Sequence, residues 1–230
     1  MEDYRAEEVC LVSVDPGSYH LGAATYIHNA RYDLSRLVAT GDMDVADHER
    51  YPRYDVHGVR GKRLQLMAEF LYQYLCIWKP DYVVCEDAYL SRFATPYRSL
   101  VEGIAAIRQA LHRYDPTMEL ILVEPSAAKV AFGASGGKGD VKERARAGVY
   151  KHVGPISDID LTVLNEHVID AVGIGFWGIE KWRMSQQWPV PTEKTKQWWE
   201  QEPVQSRQPP PEPKSSTAKR TSRKRRRGKK

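Results

Sequence analysis

The chain has 230 residues, of which 42% are apolar and 28% charged, and its formal net charge is +4. This length predicts one domain with an appendage, and the apolar share is sufficient for a hydrophobic core. The acidic, polar segment Met1–Glu8 is unlike a secretory signal, and no apolar run approaches the ~20 residues that span a bilayer. We therefore expect no membrane partner.

The charge is unevenly distributed along the chain. Residues 183–230 contain 14 Lys and Arg against 4 Asp and Glu, so the remaining residues carry a net negative charge. Seven prolines interrupt the end of the chain, and nine of its last twelve residues are Lys or Arg. We predict a body over 9–182 and a disordered basic tail over 183–230. The tail's three tryptophans fit base stacking or a docking motif equally well: Trp188, Trp198 and Trp199.

The three cysteines, Cys10, Cys76 and Cys85, all lie in apolar runs. Their odd number and lack of paired spacing disfavour a zinc site. Buried thiols indicate a reducing compartment, either the cytoplasm of a bacterial host or the nucleus or cytoplasm of a eukaryotic one.

The first predicted elements are strands. Leu11–Val14 is a buried strand, Asp15–Ser18 a tight turn, Gly22–Ile27 the returning antiparallel strand and Leu37–Met43 a weaker third strand.

Helices and strands then alternate. Leu64, Met67, Leu71 and Trp78 recur at helical spacing, and Thr95 followed by Pro96 predicts the start of a second helix. The other predicted elements are the strands Tyr82–Cys85 and Leu120–Val123 and the helices Val141–Val153 and His167–Trp182. This order predicts an α/β domain with a mixed central sheet.

Four residues with metal-binding side chains lie at the ends of these elements. Asp15 and Glu86 each follow a buried strand, whereas His167 and Asp170 are three apart and share one face of a helix. Taken alone, Asp15 before Pro-Gly is as well explained as a turn former. Together the four offer an oxygen-rich set of ligands for Mg²⁺ or Mn²⁺, the usual means of cutting phosphodiesters with two metal ions.

The segment from Glu124 to Arg146 combines lysines with a glycine-rich loop. Lys129, Lys138 and Lys142 lie in or beside this loop, whose backbone can approach a phosphate. The spacing is not that of a P-loop, and a solvated surface loop is the alternative. Tyr89, three residues after Glu86, suits either stacking on an unpaired base or a place in the core.

Four segments, in order and spacing, resemble the RuvC-type Holliday junction resolvases. The matching positions are Asp15-Pro16-Gly17-Ser18 with Gly22, Lys79–Glu86, Pro125–Lys129 with Gly136–Gly139 and Lys142, and His167–Ala171. The resemblance covers about residues 9–182 and leaves out the basic tail. A viral or phage member of the family fits the sequence as well as a cellular one.

The resemblance implies a ribonuclease-H-like fold with a mixed five-stranded central sheet flanked by helices. It also implies a homodimer that resolves four-way DNA junctions by symmetric nicks, with two Mg²⁺ ions per active site, for which Mn²⁺ can substitute. Asp15, Glu86, His167 and Asp170 match the family's metal-binding quartet, whose third member is Asp or His.

The family's DNA-binding residues also have counterparts in this sequence. Tyr89 falls where the family has an aromatic that wedges into the junction. Lys129 and Lys142 match its phosphate-contacting lysines, and Lys138 matches less closely.

We therefore expect a metal-dependent, structure-selective DNA endonuclease, a crossover junction endodeoxyribonuclease. The alternatives are another ribonuclease-H-fold nuclease that cuts flaps or RNA–DNA hybrids, and a catalytically silent DNA-binding scaffold for recombination.

Overall fold

The computed structural model describes residues 8–17, 19–30, 32–44, 58–89, 94–135 and 140–185. Lys138, the glycines beside it and the predicted tail from residue 186 onward lie outside this part of the chain. The described strands and helices are β1 Glu8–Pro16, β2 His20–Asn29, β3 Leu34–Asp44, α1 Gly58–Trp78, β4 Tyr82–Glu86, α2 Ala94–Tyr114, β5 Leu120–Val123, α3 Pro125–Ala131, α4 Val141–Val153 and α5 Glu166–Ser185.

The strands form one mixed five-stranded sheet in the order β3-β2-β1-β4-β5. β1 and β3 each pair antiparallel with β2, whereas β4 pairs parallel with both β1 and β5. The predicted fold class is therefore confirmed. Because β1, β4 and β5 are parallel, their carboxyl ends lie at one edge of the sheet, and the hairpin between β1 and β2 turns there too.

Helices cover both faces of the sheet. Cys10, Val12 and Val14 of β1 belong to the cluster formed with α1 and α2, whereas Leu11 belongs to the cluster formed with α3, α4 and α5. Burial on both sides explains why β1 is a continuous apolar run without the alternation of a half-exposed strand. Among the described helices, none is long and apolar enough to cross a membrane.

Three details differ from the sequence prediction. α2 begins at Ala94, one residue before the start that Thr95 and Pro96 predict. α5 continues to Ser185, beyond the predicted end of the body, and Arg183 within it contacts the Asp33 carboxylate. The short helix α3 was not predicted, because seven residues are too few to show a helical period.

α5 packs close to β1 and β2. A Cβ atom on Gly175 would lie 2.6 Å from Ser13 Oγ, and one on Gly178 would lie 2.9 Å from Leu11 Cδ1. The short distance lets Ser13 Oγ donate a hydrogen bond to the Ala171 carbonyl at 2.7 Å. The same approach brings the first turn of α5 over Gly22 of β2, whose added Cβ would lie 2.2 Å from the His167 carbonyl oxygen.

We expect Gly22→Ala to destabilise the protein by about 1–3 kcal/mol, because the new methyl group meets backbone atoms that cannot move aside. Gly154→Ala is the matched control, since its Cβ meets nothing within 4 Å. Urea denaturation of the two variants and the parent measures the difference. Equal midpoints for Gly22→Ala and Gly154→Ala would contradict the close packing.

Candidate active site

Asp15 and Glu86 are neighbours at the carboxyl edge of the sheet. Val14 and Cys85 are paired in the parallel register of β1 and β4, so the residue that follows each of them is one of these two carboxylates. Asp15 is buried, with 6% of its surface exposed.

The first turn of α5 carries His167 and Asp170 to this edge. Asn165 accepts a hydrogen bond from the Val168 amide at 3.0 Å and donates one to the Asp42 carboxylate of β3 at 2.6 Å, which ties the start of the helix to the sheet. The structure thus brings together the four residues that the sequence predicts as metal ligands.

A hydrogen bond joins His167 to Asp15. Nδ1 of the imidazole lies 2.7 Å from Asp15 Oδ2, and this bond raises the pKa of His167 above its usual value. When His167 is neutral, donation from Nδ1 leaves the Nε2 lone pair free to bind a metal or accept a proton.

A second histidine, His20, supports the ring of His167. Their rings stack with centroids 5.0 Å apart and planes 13° apart, and His20 Nδ1 lies 3.6 Å from an Asp44 carboxylate oxygen. Sequence reasoning missed His20, and its position next to the Asp15 turn was the one available signal.

The other two carboxylates resist ionisation. Burial, followed by the charge of Asp15, raises the pKa of Glu86 to about 8. The same two causes raise the pKa of Asp170 to about 6. Lys129, on α3, opposes both shifts, and the charge of His167 also opposes the shift of Asp170. The position of Lys129 beside the carboxylates fits a side chain that contacts a phosphate bound there.

The donor set and its charge fit a divalent cation. Three carboxylates and one imidazole are ligands suited to Mg²⁺ or Mn²⁺, and a cation among them would relieve the repulsion between the acids. Among the described residues, no group of three or more His, Cys, Asp or Glu side chains is already arranged to hold a metal ion. Asp15 is instead bonded to His167, so loading would require these side chains to adjust.

The predicted DNA-binding residues have different surroundings. Tyr89 is 56% exposed, which excludes the alternative of a core tyrosine. It lines a cleft of about 570 Å³ together with Ser126 and Lys129. Lys142, at the start of α4, forms an ion pair at 2.6 Å with Glu166, the residue before His167.

No family model and no curated protein matches the sequence. Among solved structures, the chain is similar to Thermus thermophilus RuvC in complex with a Holliday junction substrate, with a TM-score of 0.60 and 18% identity over 80% of this chain and 99% of that one. A structure titled Thermus thermophilus RuvC gives 0.59, with the same identity and coverage.

The yeast mitochondrial Holliday junction resolvase Ydc2 gives a TM-score of 0.50, with 10% identity over 82% of this chain and 83% of that one. At these identities the likeness shows a shared fold, a mixed five-stranded sheet flanked by helices.

The raised pKa of Glu86 predicts how stability depends on pH without metal. Between the usual value of 4.5 and about 8, the folded protein binds more protons at this site than the unfolded chain does. The free energy of unfolding should therefore fall as pH rises through this range. The raised pKa values of Asp170 and His167 act in the same direction.

Glu86→Gln should remove the largest part of this effect, because an amide carries no charge at any of these pH values. In EDTA we expect the variant to melt like the parent near pH 5 and several degrees higher near pH 8. Glu119→Gln, at an exposed position on the surface, is the control. Parallel melting curves for the parent and Glu86→Gln from pH 5 to 8 would contradict the prediction.

Proposed function

We propose that this protein is a metal-dependent, structure-selective DNA endonuclease that resolves four-way junctions by symmetric nicks. The observation that carries the proposal is the convergence of Asp15, Glu86, His167 and Asp170 at one edge of the sheet. The buried Asp15 and the partly buried Glu86 and Asp170 repel one another there in the absence of a cation. The shared fold with structures of junction resolvases supports the choice of substrate.

Each residue of the cluster has a role in this proposal. Asp15, Glu86 and Asp170 would hold Mg²⁺, and His167 would complete the ligand set or accept a proton. Bound cations would activate the attacking water and stabilise charge on the leaving oxygen. Water adds to the scissile phosphorus, the bond from phosphorus to the 3′ oxygen breaks, and the water's proton passes to a base such as His167 Nε2.

The neighbouring groups would position the DNA. Lys129 would contact a phosphate at the cluster, and Lys142 would exchange its Glu166 partner for a phosphate of the same strand. Tyr89, exposed on the cleft that also contains Lys129, would stack on a base next to the crossover. Symmetric nicking needs two copies of this site, so we propose that the active form is a homodimer.

The direct test is a comparison of substrates. We expect the full chain to nick a synthetic four-way junction in Mg²⁺, to be inactive in EDTA, and to cut flaps, RNA–DNA hybrids and linear duplex far more slowly. Preference for a hybrid or a flap would favour another nuclease of the same fold. Junction binding without any cutting would favour a silent recombination scaffold.

Replacing a proposed metal ligand should separate cutting from binding. Asp15→Asn and Glu86→Gln keep the shape of the side chain but lose its charge, so nicking should fall by a factor of at least about 100 while junction affinity survives. Glu69→Gln, which removes a carboxylate from the remote α1–α2 ion pair with Arg113, is the control. Substantial nicking by either ligand variant in Mg²⁺ would refute the assignment.

A second set of variants tests which residue accompanies Asp170 on α5. His167→Asp restores an oxygen ligand and should retain Mg²⁺-dependent activity, whereas His167→Ala should lose most of it. Glu166→Gln should retain catalysis, because Glu166 is paired with Lys142, whereas the His167 imidazole is bonded to Asp15 within the cluster. Single-turnover rates on a junction measure all three. An active His167→Ala with an inactive Glu166→Gln would transfer the role to Glu166.

A further inference from the structure

The buried face of α1 is apolar along most of its length but contains a charged residue near its amino end. Met67, Leu71 and Trp78 continue the face along the apolar core, but its next member toward the amino end is Arg63, which is only 8% exposed. A buried guanidinium is costly unless it is paired. We therefore expect the Arg63 guanidinium to make a specific contact at this end of the helix.

That contact is the ring of Tyr19. The guanidinium carbon of Arg63 lies 4.3 Å from the ring centroid, the geometry of a cation–π pair. Among the described residues, Nε of Arg63 has no hydrogen-bond partner. Arg60, one turn earlier, is bonded to Glu102 and so holds the start of α1 against α2.

Tyr19 itself remains accessible. It lies in the hairpin between β1 and β2, four residues after Asp15, and 49% of its surface is exposed. One face of the ring is covered by the guanidinium, so the exposed surface belongs to its edge and its other face. A Cβ atom added to Gly103 of α2 would lie 3.4 Å from Pro16 Cβ, so α2 packs close to the same turn.

We propose that Tyr19, backed by Arg63, is a stacking site for an unpaired nucleobase of the DNA substrate. This inference rests on the proposed function. It places an exposed aromatic ring, supported by Arg63, near the carboxylates of the proposed cleavage site. A second exposed tyrosine, Tyr89, follows β4 at the same edge of the sheet. Base stacking on Tyr19 is favoured over binding of a phosphate to Arg63, because the buried guanidinium lies behind the ring.

If Tyr19 stacks on a base, residue 19 must be aromatic for tight binding of DNA with unpaired bases but not for binding of duplex DNA. Tyr19→Leu should weaken binding of a four-way junction and of single-stranded oligothymidine about tenfold in EDTA, whereas Tyr19→Phe should bind both within about twofold of the parent. Binding of linear duplex should be the same for all three proteins. Fluorescence anisotropy measures the affinities, and thermal melting verifies that both variants are folded.

Abasic nucleotides provide the matching change in the DNA. On a junction whose crossover nucleotides are abasic, the parent and Tyr19→Leu should bind equally, because no base remains to stack. Arg63→Met should weaken oligothymidine binding in the parent but add nothing in the Tyr19→Leu background, the non-additivity expected of a positioning residue.

Two results would overturn the proposal. One is parent-like affinity of Tyr19→Leu for oligothymidine, and the other is an equal loss of affinity on linear duplex and on the abasic junction. A parent protein that does not prefer junctions over duplex would count against the proposed function alone, because the oligothymidine measurement still decides the stacking site.

Discussion

The close packing of α5 against β1 and β2 is the constraint on which the rest of the structure depends. His167 and Asp170 are on a helix, and Asp15 and Glu86 are at the ends of strands, so the four can meet only if the helix lies almost on the sheet. Gly22 and Gly175 permit this distance, and the hydrogen bond from Ser13 to the Ala171 carbonyl holds it. A methyl group at either glycine would push the site apart before it changed any ligand.

The packing has an electrostatic cost. Burying carboxylates side by side raises the pKa of Glu86 and of Asp170, and Lys129 only partly offsets the repulsion. Apolar residues at the same places would give a more stable protein. A cluster of this kind therefore points to a functional role. The hydrogen bond between His167 and Asp15 is a further compensation that holds the imidazole in a defined orientation.

The groups proposed to bind DNA surround this cluster as local features. The body of the chain is net acidic, so the proposed contacts would come from individual groups near the edge of the sheet and not from an overall positive field. Lys129 lies at the carboxylates, Lys142 is held nearby through Glu166, and the exposed rings of Tyr19 and Tyr89 belong to the loops that follow β1 and β4. Stacking and phosphate contact would thus be combined over a small area.

The order and type of most elements, and the four residues that meet in the cluster, could be predicted from the sequence. Apolar runs and helical spacing are local signals, and Asp15 and Glu86 stand out because each directly follows a buried strand. Three contacts could not be predicted: His20 stacks on His167, Lys142 pairs with Glu166, and Arg63 supports Tyr19. These contacts join residues as far as 147 positions apart. The sequence does not show which of these distant residues meet, because their contacts depend on how closely the helices and strands pack.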